Sequence, residues 1–400
     1  MSPVSAPLSV VEDAEPPLLV RAEIVGHESA GPAAADVDRQ GRFPHEAVDA
    51  LRAHNLLNCA VPVEQGGEGA TLGELCDVAR ILGRYCASTA MIFAMHQTQI
   101  LSLVRHSTPG VAAFVAEAVA QDYLIASATT ELGTGGDVRS SVCAVARDGD
   151  TVSLTKNAPV ISYGEYADVI LVTARRTPDS PPSDQVLVVC RRGELSLEPT
   201  GKWDTLGLRG TCSPGFVLTA TTSADLVVGT PYAEISSRTM LPVSHCVWSA
   251  VWLGIADAAM EKARSFVRSA ARRSPGITPP GALRLAEAAA VHQQFADVVA
   301  ASAARFDAAT STLDGTDRSE ALSGMGFSLA MNNLKVTAST LVVDLVNRAM
   351  LICGIAGYRE DSQYSLGRHL RDAHGAAVMV NNDRIMNNSA QLSIAYRGTL

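Results

Sequence analysis

The residues best suited to chemistry in this sequence fall in a few short stretches. Thr129-Thr130-Glu131-Leu132-Gly133-Thr134-Gly135-Gly136-Asp137 joins two hydroxyls to a loop. Its glycines let successive backbone N–H groups converge on an anion or a polarised carbonyl. Lys156-Asn157-Ala158-Pro159-Val160-Ile161-Ser162-Tyr163-Gly164 reads as a strand entering a turn, with Ser162 as a further hydroxyl. In Trp203–Thr211, Arg209 stands beside Gly210 and Thr211, a group able to orient a carbonyl or phosphate, or to build a turn. Arg264, Arg268, Arg272 and Arg273 end a long helical pattern. Cations there suit the helix dipole, and a planar guanidinium also matches phosphate oxygens. Met379-Val380-Asn381-Asn382-Asp383-Arg384 gathers amides around a single carboxylate, Asp383, and reads as a helix cap or a polar floor. His96, in apolar Phe93-Ala94-Met95-His96-Gln97, reads as a core imidazole, and His245, after Ser244, as a core imidazole or a candidate base near neutral pH.

The elements that must position these residues follow from patterning. Residues 1–18, rich in Pro, Ser and Ala, predict a loose tail, and 19–121 repeat the apolar spacing of helices. Residues 122–232 break into short alternating segments separated by Asp-Gly-Asp and Pro-rich turns, which predicts an antiparallel β domain. Residues 233–400 predict four long helices, Pro242–Arg272, Pro280–Leu313, Ser319–Ile355 and Gly375–Tyr396, in an antiparallel bundle. The expected fold class is therefore α+β and multidomain. The composition agrees: 47% of the 400 residues are apolar and only 5% aromatic, favouring packed helices. A net charge of −9 gives no basic footprint for nucleic acid. The 8 cysteines are dispersed, without the Cys-x-x-Cys or Cys/His spacing of a metal site, so a reduced, cytoplasmic setting and no metal are expected. The N-terminus reads as no signal peptide, and no apolar run reads as long enough to span a bilayer.

Cys353-Gly354-Ile355-Ala356-Gly357-Tyr358, followed by Arg368-His369-Leu370-Arg371-Asp372-Ala373, resembles the C-terminal signature of the acyl-CoA dehydrogenase family, a Gly-rich turn and then Arg-x-x-Arg-Asp-Ala. The Thr129, Lys156 and Trp203 segments match that family's motifs in the same order. The resemblance implies an N-terminal α domain, a central β domain, a C-terminal four-helix bundle, and FAD between the last two. It places Thr129, Thr130, Gly135, Gly136, Ser162 and Gly354 at the flavin. Gly136 stands for the usual Ser, Ser162 for a flavin-contacting Thr, and Val160 for a covering Trp. Arg272 is implied as a clamp on the flavin pyrophosphate across a subunit boundary of a homodimer or homotetramer.

The same resemblance exposes a departure. The family's catalytic Glu belongs nine residues after the signature Arg, where Val380 stands, or on the first bundle helix, where Ser244 stands. His245, then Asp383, become the candidate bases, with Arg209, Asn381, Asn382 and His96 as candidate substrate contacts. The leading expectation is oxidation of an unusual acyl or aminoacyl thioester on an acyl carrier protein or coenzyme A, with O2 or an electron-transfer protein as acceptor. The alternative is a monooxygenase resembling dibenzothiophene monooxygenase, which Trp252-Leu253-Gly254-Ile255-Ala256 and the position of His96 support. A flavin-binding scaffold without turnover is the third reading.

Overall fold

The computed structural model describes residues 16–135 and 137–398. The chain begins with α1 (Leu18–Val25), α2 (Gly31–Gln40), α3 (His45–Ala53), α4 (Leu72–Tyr85), α5 (Ala87–Arg105) and α6 (Pro109–Ala120). A capping box starts α4: the Thr71 hydroxyl accepts from the Glu74 N–H, and the Glu74 carboxylate accepts from the Thr71 N–H at 2.8 Å.

Two four-stranded sheets follow. One has the order β1 (Ile125–Ala128), β4 (Val169–Arg175), β5 (Gln185–Arg191), β8 (Val227–Val228); the other runs β2 (Ala146–Asp148), β3 (Thr151–Ala158), β7 (Phe216–Ser223), β6 (Leu195–Pro199). Neighbouring strands are antiparallel except β1 and β4, which are parallel. The chain between those two detours through the second sheet and so returns in the same direction. β4 and β5 are buried on both faces: Val169, Leu171, Leu187 and Val189 pack toward α5 and α6, while Ile170, Val172, Val186 and Val188 pack toward β3 and β7. Residues 141–145 precede β2 without joining a strand, because the Val142 and Cys143 N–H groups donate to the Glu131 carboxylate instead of to a ladder.

The C-terminal part opens with one helical rod: α7 (Tyr232–Ile235), a π-helical turn (Ser236–Met240) and α8 (Leu241–Arg273). Then come α9 (Gly281–Thr312), α10 (Gly315–Ser323), α11 (Met325–Cys353), α12 (Ile355–Tyr358), α13 (Gly367–Val378) and α14 (Asn382–Ala395). α8 lies against α4 so closely that a Cβ on Gly254 would overlap the backbone of Arg80 and Gly83. Two expected continuous helices are broken, one at Gly324 and one at Met379–Asn381, where Val380 has φ 48°. The expectation that no apolar stretch could span a bilayer also needs correction. Tyr232–Arg273 and Met325–Cys353 are long and apolar enough, and 89% of the most apolar window of the first is buried inside the protein.

Candidate active site

A cavity of about 640 Å³ opens between the N-terminal helices, the β domain and the bundle. Helical periodicity builds three of its walls. Met91, Met95, Thr98 and Gln99 share one face of α5; Met240, Ser244 and Trp248 succeed one another along the α7–α8 rod; Arg371, His374, Gly375 and Val378 share one face of α13. The β domain supplies the fourth wall with Ser127, Thr129, Thr130, Val160 and Ser162.

Ser162 is held by a chain of hydroxyls. Ser213 Oγ is 3.0 Å from Ser162 Oγ and 2.9 Å from Thr211 Oγ1, and the Thr211 hydroxyl donates to the Leu208 carbonyl at 2.9 Å. The loop after Thr130 is anchored from beneath. Glu131, 6% exposed, accepts from the Ser141 hydroxyl at 2.7 Å and from the Cys143 N–H at 2.7 Å, and lies 3.3 Å from Lys156 Nζ. Burial opposes its charge, yet Ser141, Lys156 and the backbone N–H groups outweigh burial and hold the carboxyl below its usual range. Lys156 is the inward-facing charge on a strand that otherwise alternates cleanly, and it also donates to the Thr173 carbonyl at 2.7 Å.

The C-terminal signature and the 203–211 loop lock together at the mouth. Leu208, in the left-handed region at φ 51°, gives its N–H to Asp372 Oδ1 at 2.7 Å. A Cβ on Gly207 would overlap the Arg371 backbone, so that contact requires glycine. Arg371 in turn pairs with Asp38. Burial pushes the Asp372 carboxyl up to about 6, against the opposing pull of Arg368 and the Leu208 N–H.

The structure brings Thr129, Thr130, Ser162, Ser244 and Val380 to the cavity and leaves other expected residues outside its lining. His96 is wholly buried: Nδ1 accepts from the Ile125 N–H at 3.0 Å and Nε2–H donates to the Leu57 carbonyl at 2.8 Å, which ties α5 to β1. His245 is 3% exposed, and its Nδ1–H donates to the Met331 carbonyl at 3.0 Å. Burial lowers both imidazoles to about 4. Arg209 is spent on the Asp38 and Thr205 carbonyls and on Asp204. Asn382 faces Lys335, Asn381 caps α14 by accepting the Asp383 N–H, and Asp383 is exposed. Arg272 is exposed at the end of α8, Gly354 is an exposed turn at φ 57°, and Gly135 gives its carbonyl to Arg384; Gly136 lies outside the described residues. Sequence reasoning missed His374, an imidazole at the cavity's edge, although its spacing from Arg371 was visible. It also missed Met91, Met95, Met240 and Trp248, whose spacing reads as ordinary core until the facing element is known.

The donor set fits a flavin. Hydroxyls line one wall for the polar edge of a ring. Val160, Leu206, Val378 and Val380, exposed by 39, 61, 73 and 40%, form an apolar rim that a planar ring system would cover. A helical domain, a β domain and a helical bundle around such a cavity define a flavin oxidoreductase. Residues 22–131 match the family model for the acyl-CoA dehydrogenase N-terminal domain and 237–389 that for the C-terminal domain, so the chain belongs to the acyl-CoA dehydrogenase family. It is 25% identical over 370 residues to cyclohex-1-ene-1-carbonyl-CoA dehydrogenase of Syntrophus aciditrophicus, covering 88% of this chain and 83% of that protein. It is 28% identical over 365 residues to L-evernosamine nitrososynthase of a Micromonospora, covering 86% and 82%. In fold it resembles FMN-bound TdsC, a dibenzothiophene monooxygenase of Paenibacillus sp. A11-2, with TM-score 0.82, 20% identity, and 96% and 98% of the two chains covered.

Proposed function

We propose that this protein is a flavin-dependent monooxygenase that uses reduced flavin and O2 on a small, largely apolar substrate. One observation carries the reading: among the described residues no Asp or Glu lines the cavity, and the two family positions for a base hold Val380 and Ser244. Oxidation of an acyl thioester needs a base for the α-proton, whereas oxygen transfer to an electron-rich atom does not. Reduced flavin would supply the two electrons; one oxygen atom of O2 enters the substrate and the other leaves as water with two protons. Thr129, Thr130 and Ser162 would hold the ring, Ser162 with its oxygen fixed by Ser213. Met91, Met95, Met240 and Trp248 would exclude water and grip the substrate. His374 would exchange a proton at its imidazole. The TdsC and nitrososynthase likenesses support this assignment. The cofactor is FAD on the sequence resemblance, and TdsC shows the fold with FMN.

The second reading is dehydrogenation of an acyl thioester on coenzyme A or a carrier protein, with electrons passed to O2 or an electron-transfer flavoprotein. The cyclohexenecarbonyl-CoA dehydrogenase relative favours it, and His374 would then be the base. Anaerobic mixing of the oxidised holoprotein with octanoyl-CoA separates the two. Unbleached flavin, together with O2 consumption only after reduction by a separate flavin reductase, is the expected result. Rapid bleaching by the thioester overturns the monooxygenase.

A further inference from the structure

Lys335 lies on α11 with no exposed surface, and its surroundings are unusual for an ammonium. Nζ donates to the Val380 carbonyl at 2.8 Å and to Asn382 Oδ1 at 2.7 Å, and sits 5.8 Å from the centre of the Trp252 ring. Among the described residues its hydrogen-bond partners are a carbonyl and an amide oxygen, with no carboxylate paired to it, and burial alone pushes it down to about 8. A buried cation without a countercharge is costly, so it persists where something else depends on it. What it grips is the break between α13 and α14. There Val380, a β-branched residue, has φ 48°, a region such residues avoid and occupy only when their surroundings over-determine it. The grip has a second point: Asn382 Nδ2 donates to Ser339 Oγ at 3.0 Å, and the Ser339 hydroxyl donates to the Val336 carbonyl at 2.7 Å. Met379 and Val380, on the other side of this turn, line the cavity.

We propose that Lys335 is a positioning residue for the cavity wall: by holding the Val380 carbonyl it forces the turn into the left-handed conformation that presents an aliphatic surface to the cavity. It does not touch the reacting atoms. The proposal rests on the cavity being the substrate site, but its test does not require turnover. An uncommitted backbone at Met379–Asn381 would let α13 run on into α14, as the apolar pattern of Gly375–Tyr396 favours, and would rotate Val380 out of its place. The clamp explains why this stretch is two helices.

The experiment is hydrogen exchange on the flavin-loaded protein, read in a peptide spanning 376–386 and in control peptides from the middle of α8 and α9. Lys335→Met removes the charge and keeps the bulk. We expect exchange in the turn peptide to rise about tenfold or more, the scale of a lost hydrogen bond to a charged group, with the controls unchanged. Glycine tolerates the left-handed region without strain. In a Val380→Gly background the turn no longer needs forcing, and Lys335→Met should add little. Three outcomes overturn the proposal: unchanged exchange in Lys335→Met, an equal rise in the control peptides, or an undiminished rise in the Val380→Gly background. Each leaves the reductase-coupled test of the monooxygenase reading untouched.

Discussion

Glu131 and Lys156 explain why the loop bearing Thr129 and Thr130 holds its shape without a strand of its own. The carboxylate collects two backbone N–H groups that would otherwise belong to a ladder, together with the Ser141 hydroxyl, and the ammonium neutralises it where water does not reach. Removing one partner strands the other. Lys156→Met is expected to cost about 3–5 kcal/mol of stability in urea denaturation, the range for breaking a buried pair, and to lower flavin retention. His96 and His245 act at the same scale with a pH signature. Both sit at about 4 when folded against 6.5 for a free imidazole, so between those values the unfolded chain binds more protons. Their contribution is full above pH 6.5 and is lost as pH falls toward 4, by up to about 3 kcal/mol each. Denaturation midpoints taken across that window should fall steeply for the unaltered protein and less steeply for His245→Gln. An equal slope would assign the protons to other groups.

At the scale of elements, the cavity depends on contacts between segments far apart in the chain. The 203–211 loop has little regular structure, and its path is set by Asp372, which takes the Leu208 N–H, and by the close approach of Gly207 to α13. Asp372→Ala leaves that N–H buried and unpaired, a cost of about 1–3 kcal/mol. The freed loop should then be cut faster by trypsin at Lys202 or Arg209 under conditions where α13 remains intact. Unchanged cleavage would mean that Gly207 packing alone holds the loop. The π-helical turn at Ser236–Met240 is the other positioning device: one such turn shifts the register of the rod on which Met240, Ser244 and Trp248 line the cavity.

Over the whole molecule, one corner stands out. The start of α9 meets the end of α11, where the Arg284 guanidinium donates to the Leu351 carbonyl at 3.5 Å. Leu283, Leu351, Ile355 and Tyr358 there are exposed by 71, 66, 73 and 75%. A patch of that character fits a second copy of the chain. Ile355→Asp is expected to shift the protein toward monomer in light scattering. Arg272, at the end of α8, is expected to bind a pyrophosphate contributed across such a boundary. Arg272→Ala should weaken retention of FAD about tenfold or more, by losing a charge-assisted hydrogen bond, and leave FMN retention unchanged. Equal retention of FAD would remove the clamp and leave Arg272 as a cation on a helix dipole.

The order of helical, β and helical segments was legible in the sequence, because apolar period and turn residues are local properties. So were Thr129, Thr130 and Ser162 on the cavity wall, and the loss of a carboxylate at Val380 and Ser244, since a missing residue type needs no geometry to be seen. Tertiary structure alone decided which polar side chains face the cavity and which are spent inside. Periodicity tells which face of α5 holds His96 but not that Leu57 and Ile125 will saturate its ring. The same holds for His245 with Met331, for Arg209 with the Asp38 carbonyl and for Asn382 with Lys335, partners from 47 to 171 positions away. A polar residue's role is fixed by the groups it meets when the chain closes, and those meetings are not written in its neighbours.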